Sequence, residues 1–339
     1  MCRSSRLAIG GIVLLATMTC GGTPTARLPA ERPPRAEPWE STLDATHPLV
    51  GVVWDVDGHR RASEAELVAR LQSSDVVLVG ETHDNPDHHR LEARLLAAYA
   101  ERHTTPAVVF EMLDREQQAI VDATLRQCPD DVDALAQAVG WASSGWPAWL
   151  MYRPVFQAAV AANAVVLAGG IGRNAAMRIA RDGPASYDPG LDQAFSLHEP
   201  APAEVDAAMR REMGESHCGL VPNEMLELMV LVQRTRDALL AARLHEGASR
   251  GGGALLVAGT GHVRRDRGVP AQLARVYAIE SLSVGLLEAR ASAPTPEDYV
   301  QSFEAKRLPF DYVWFTPRAN DIDHCAELRE PMKAPARRE

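Results

Sequence analysis

Asp75-Val76-Val77-Leu78-Val79-Gly80-Glu81-Thr82-His83-Asp84-Asn85-Pro86 is the stretch that decides the fold. Four consecutive apolar residues with no polar alternation are the mark of a strand covered on both faces, as in a parallel sheet. Asn85 followed by Pro86 supplies an N-cap and a proline at the first helical position, which opens a helix to about Arg102. The same strand-to-helix alternation continues outward. Ala107–Phe110, Val165–Ala168 and Ala254–Ala258 read as further buried strands, and Val276–Ile279, Gly285–Leu287 and Tyr312–Phe315 as strands late in the chain. Helices are expected from the Ser63/Glu66 capping pair to Leu71, from Asp114/Gln117 to about Arg126, and over Val132–Val139. Others follow from Pro147, near Ala203–Met213, and from Pro222 to about His245. The expectation is an α/β fold: a mostly parallel sheet flanked by helices, with a smaller helical cap subdomain within about residues 130–160.

In open sheets of this kind, ligands bind beyond the carboxyl ends of the strands. Glu81 and His83 follow the first strand, Glu111 ends the second, and His262 follows Ala254–Ala258. Gly80 to His83 and Gly259 to His262 have the same Gly-x-x-His spacing, read as a turn at each strand end that faces the histidine back over the sheet edge. Imidazole with carboxylate suits a divalent transition metal or acid-base work, so Glu81, His83, Glu111 and His262 are candidate metal ligands. His88 and Glu92 share a helix face at i, i+4, which also permits ligation. His217-Cys218 sets imidazole beside thiol, a pair that can hold haem iron or a soft metal. Trp141, Trp146, Trp149, Tyr152 and Phe156 concentrate aromatics in a chain that is only 5% aromatic, as a core ridge or as a cap stacking on a flat ligand. Gly170-x-Gly172 follows a later strand without a partnering acid, so it reads as a tight turn and not a dinucleotide site.

The formal charge of -10 excludes an electrostatic hold on nucleic acid. Lys306 and Lys333 are the only lysines and both sit late in the chain, which argues against Schiff-base chemistry. C-x-x-C-H, P-loop and G-x-S-x-G patterns are missing, removing covalent haem, P-loop nucleotide chemistry and the usual hydrolase elbow. Arg3 and Arg6 precede an apolar run, Leu7 to Met18, that ends at Thr19-Cys20-Gly21 and reads as a lipoprotein signal over residues 1–20 with Cys20 lipidated. Gly21 to Pro38 is rich in Pro, Thr, Ala and Arg, placing a disordered tether at 21–45 before a main domain at 46–290 and a C-terminal extension at 291–339. Cys128, Cys218 and Cys325 remain after the signal, an odd number that argues against a disulfide scaffold.

Six strings together resemble the ChaN family of haem-binding lipoproteins over about residues 50–290. They are Gly80 through His89, Val109-Phe110-Glu111-Met112-Leu113, Trp149-x-x-Tyr152-x-Pro154, His217-Cys218-Gly219, Gln233-Arg234-Thr235-Arg236-Asp237, and Gly259 through Arg264. The resemblance implies an EreA/ChaN-like α/β fold with a helical subdomain, export with a lipid anchor, and non-covalent haem binding linked to iron acquisition. It also implies kinship with Tiki and TraB proteins and erythromycin esterases, a group that shares paired Gly-x-x-His motifs and includes hydrolases. Glu81, His83, Glu111 and His262 match that shared edge motif, and Tyr152 and His217 match family motifs as alternative iron ligands.

Two functions stand open at this point. In one, an exported lipoprotein of the cell envelope, periplasm-facing or on the outer membrane, holds haem in an aromatic cleft; Tyr152 or His217 ligates iron and Arg264 or Arg265 neutralises the propionates. A second copy of the chain would complete a flat haem cleft as a homodimer. In the other, His83, His262, Glu81 and Glu111 hold a metal, and one glutamate acts as general base on metal-bound water in a hydrolase.

Overall fold

A computed structural model describes residues 38–333; the signal segment, Cys20 and the tether up to residue 37 lie outside the described residues. The chain enters with a short hairpin, β1 (Val53–Asp55) and β2 (Arg60–Ala62). Then come α1 (Glu64–Gln72), β3 (Val76–Glu81), α2 (Pro86–Ala100) and β4 (Ala107–Asp114). Three helices, α3 (Gln118–Gln127), α4 (Val132–Ala138) and α5 (Trp149–Ala161), precede β5 (Val165–Gly170). Four more, α6 (Arg173–Asp182), α7 (Pro189–Phe195), α8 (Ala203–Ser216) and the long α9 (Asn223–Ala248), lead to β6 (Ala254–Gly259). The chain continues through α10 (Val269–Tyr277), β7 (Leu282–Glu288), β8 (Tyr312–Thr316) and α11 (His324–Lys333).

The strands form an 8-stranded sheet in the order β2-β1-β8-β7-β3-β6-β4-β5. From β8 to β5 every pairing is parallel; only the β1–β2 and β1–β8 pairs are antiparallel. Side chains of β3 alternate between two cores, as the two-residue period requires: Val76 and Leu78 face α9 and α10, while Val77 and Val79 face α2 and α5. Both faces are therefore covered by helices, which is why the strands read as unbroken apolar runs. In the β3–β6 register, Gly80 lies against Ala258 and Glu81 against Gly259, so the two Gly-x-x-His turns leave the sheet at the same level. Among the described residues, no helix is long and apolar enough to cross a membrane.

Local signals hold where the chemistry is short-range. Ser63 and Glu66 form the reciprocal cap of α1, and the Asn85 side chain accepts from the backbone N–H groups of Asp87 and His88 to start α2. The strand expected at Val276–Ile279 is not one. Val269, Leu273 and Val276 recur at helical spacing and pack into the core as α10, which ends at Ala278 in the left-handed region. The sheet resumes at Leu282, on either side of the Gly285–Leu287 segment read as a strand. Beyond residue 290, β8 adds a full strand between β7 and β1. At the other end, Glu40 and Ser41 donate backbone N–H groups to Asp87, and Leu43 bridges Arg318, so part of the segment assigned to the tether is pinned to the domain. Cys218 and Cys325 form a disulfide that ties the α8–α9 turn to α11.

Candidate functional site

The four strand-end residues meet at one edge as two carboxylate–imidazole pairs. Glu81 Oε1 accepts from His83 Nδ1 at 2.8 Å and from the Tyr152 hydroxyl at 2.7 Å. Glu111, at a register shift in the β4–β5 pairing, takes the Gly259 N–H at 2.8 Å on Oε2 and lies 3.2 Å from His262 Nε2 through Oε1. His262 Nδ1 sits 2.6 Å from Asp237 on α9. The glycines serve close approach here, not an unusual backbone turn, since neither Gly80 nor Gly259 has a positive φ. A Cβ on Gly80 would lie 2.2 Å from Val263 Cγ2, and one on Gly259 would press on the His83 ring at 3.0 Å. The four expected ligands Glu81, His83, Glu111 and His262 thus sit at one edge as two hydrogen-bonded pairs, with Glu111 also acting electrostatically on His83. Among the described residues, the group whose ligand atoms do converge is Glu81, His89 and Glu92.

The charges are set by these pairings. Burial would raise Glu111, but the imidazolium of His262 outweighs it and holds the carboxyl far below its ordinary range. Burial would lower His262, yet Glu111 and Asp237 push it up to about 10. Glu81 is likewise held down at about 2 against its burial, chiefly by His89 and His83. His88 goes the other way: burial lowers it to about 3. It is a neutral structural residue, accepting from the Thr82 N–H and bonding Thr316 Oγ1, each at 2.8 Å. Its neighbour His89, not His88, faces Glu92, which corrects the i, i+4 pairing expected along this helix.

Beside this edge opens a cleft of about 1080 Å³. His83 and Met112 form its floor, and Trp141 and Trp146 stand on one wall. The opposite wall is one face of α9: Met225, Leu228, Met229, Val232, Gln233 and Arg236 recur at helical spacing. Arg173 and Met177 of α6, with Met213 and His217 at the end of α8, close the remaining side. Five of the ten methionines line this space, a polarisable and adaptable lining. His217 Nδ1 donates to the Met213 carbonyl at 2.8 Å, which leaves Nε2 as the lone-pair nitrogen.

A family model described as haem-binding uptake, Tiki superfamily, ChaN, matches residues 67–273, more than half the chain. The chain belongs to the ChaN family. Among solved structures, the ChaN-family fold here is similar to ChaN of Campylobacter jejuni, described with cofacial haem binding. The TM-score is 0.61 at 19% identity, over 77% of this chain and 95% of that one. The type III effector HopBA1 is similar at a TM-score of 0.41 and 13% identity, over 74% of this chain and 91% of its own. No curated protein matches the sequence.

Within this ChaN-family domain the other expected site residues are placed as follows. Tyr152 is fully buried on α5 with its hydroxyl turned onto Glu81, behind the cleft wall. Arg264 is buried too, donating to Asp266 and to the Phe303 carbonyl, and Arg265 pairs with Asp311; neither lines the cleft. Both arginines are consumed by acids within or facing their own loop, whereas Arg173 and Arg236 reach the cleft and have no ion pair among the described residues. Cys218 is in a disulfide and offers no thiol to a metal. Trp141, Tyr152 and Phe156 belong to the core ridge, and Trp146 meets His83 edge-on at 4.9 Å. Sequence reasoning missed the α9 stripe, although its signal, Met225-x-x-Leu228-Met229-x-x-Val232-Gln233, is legible.

Proposed function

We propose that this chain binds haem non-covalently in the cleft between α9, α6 and the tryptophan-bearing loop, as an exported lipoprotein serving haem or iron acquisition. The observation that carries the reading is His217. Its Nδ1–H is anchored on a backbone carbonyl at a cleft wall, the arrangement that presents Nε2 to a metal. The residues fit the group in other respects. The cleft has the volume and apolar lining of a cofactor pocket, and Arg173, Arg236 and the N-terminus of α6 offer positive charge for the propionates. Bound haem would supply an iron with an axial position for imidazole. Tyr152 is the weaker of the two ligand candidates, because burial and then Glu81 raise its pKa far above the phenol range and oppose the phenolate that iron takes.

Met177 and Met225 line the cleft while about half exposed, at 54% and 50%. A second copy covering them fits the cofacial haem binding described for the Campylobacter jejuni protein. Export and anchoring through Cys20 rest on the signal read in the sequence.

Haemin titration followed at the Soret band tests the function. A saturable, shifted band is expected for the wild type, weakened by at least about tenfold in His217→Ala, or ~1.4 kcal/mol. Tyr152→Phe should bind as the wild type does. A flat wild-type response overturns haem binding, and loss in Tyr152→Phe alone moves the ligand to Tyr152.

A further inference from the structure

Glu81, His89 and Glu92 are fully buried side chains that play no part in the haem cleft itself. Two of the three come from successive turns of one helix and the third from the end of the neighbouring strand, so their separation is fixed by rigid elements. His89 Nε2 donates to the His83 carbonyl at 3.0 Å, which directs Nδ1 inward. That nitrogen lies 2.7 Å from Glu81 Oε2 and 3.2 Å from Glu92 Oε2, and ligand atoms of all three residues fall within 4.8 Å of one another. One of the carboxylate oxygens here, Glu92 Oε1, is buried with no hydrogen-bond partner, while Glu81 Oε2 has His89 Nδ1 beside it. A buried carboxylate oxygen without a donor is costly unless something else satisfies it.

We propose that Glu81, His89 and Glu92 form a closed site for one divalent first-row transition ion, set behind His83 at the floor of the cleft. A dication would balance the two carboxylates, take the place of the proton on His89 Nδ1, and give Glu92 Oε1 the partner it lacks. The surroundings are those of held ligands: the other Glu81 oxygen is fixed by Tyr152 and His83, and the other His89 nitrogen by a carbonyl. One nitrogen and two carboxylate donors without sulfur favour Zn²⁺, Mn²⁺ or Fe²⁺ over copper(I), and three residues are too few for Ca²⁺. The site shares only Glu81 with the strand-end set, and His262 and Glu111 stand outside it.

The test uses the purified, haem-free full chain and zinc as the probe. Calorimetry and metal content after gel filtration should give one zinc per chain, and cobalt(II) should develop visible ligand-field bands. Glu92→Gln should weaken zinc binding about 10–100-fold or more while leaving the haemin Soret titration unchanged. His217→Ala should lose haem and keep zinc, which separates this site from the cleft. Three results overturn the proposal: wild type that retains no zinc, Glu92→Gln that binds zinc like wild type, or zinc lost in His217→Ala and kept in Glu92→Gln. If Glu92→Gln fails to fold, the wild-type thermal midpoint decides: a rise with zinc over chelator supports the site, and no change overturns it.

Discussion

Tyr152 and His217 were equivalent candidates as letters in a sequence; their surroundings separate them. The Tyr152 hydroxyl spends its proton on Glu81, one of the best-buried charges in the chain, while His217 spends one ring nitrogen on a carbonyl and keeps the other. Removing only the hydroxyl should therefore register as lost stability. Tyr152→Phe leaves Glu81 with one donor fewer, a cost of about 1–3 kcal/mol in a denaturant unfolding series. No stability change in that variant would mean that the bond is not made. Arg264 teaches the reverse lesson: a charged residue beside a strand-end motif looked available, but Asp266, two residues on, already holds it. Sequence spacing reports proximity along the chain, not whether a charge is already engaged.

At the scale of elements, the strands that carry the site were legible because burial on both faces leaves an apolar signature. Helix starts were legible because caps are local, as at Ser63 and Asn85. The hairpin β1–β2 was not, since three-residue strands have too few positions to show a period. Val276–Ile279 misled for a related reason: a few apolar residues at a helix end are short enough to mimic a strand. The site's convergence was half legible. Strand ends placed Glu81, His83, Glu111 and His262 on one edge, but their division into pairs depends on α9 bringing Asp237 to His262 and α2 bringing His89 to Glu81. Closeness of β3 to the β6 turn is enforced at Gly80. Gly80→Ala would drive a methyl into Val263 and against the Thr260 backbone, and should destabilise the fold by about 1–3 kcal/mol, read as a lower thermal midpoint. An unchanged midpoint would show that the two turns can separate at no cost.

For the molecule as a whole, these buried pairs set a window of pH. His262 has its folded pKa raised from 6.5 to about 10, so its contribution is complete below 6.5 and is lost as pH rises toward 10. Glu111 is depressed from 4.5, so its contribution holds above that value and fades as the solution becomes strongly acidic. His89 is raised to about 10 as well, by Glu81 and Glu92 against its burial. Unfolding free energy should thus decline between pH 6.5 and 10 through both, and His262→Asn should make that decline shallower without removing it. An equal slope in the variant would assign the alkaline loss to other groups.

The Cys218–Cys325 bridge spans 107 residues and begins at the residue beside His217. The histidine that faces the cleft is thereby stapled to the last helix, at a point where Cys218 and Gly219 both take left-handed backbone angles. A chain kept in a reducing compartment would close its sheet as before, since no strand depends on that bond, yet leave its histidine on an untethered turn.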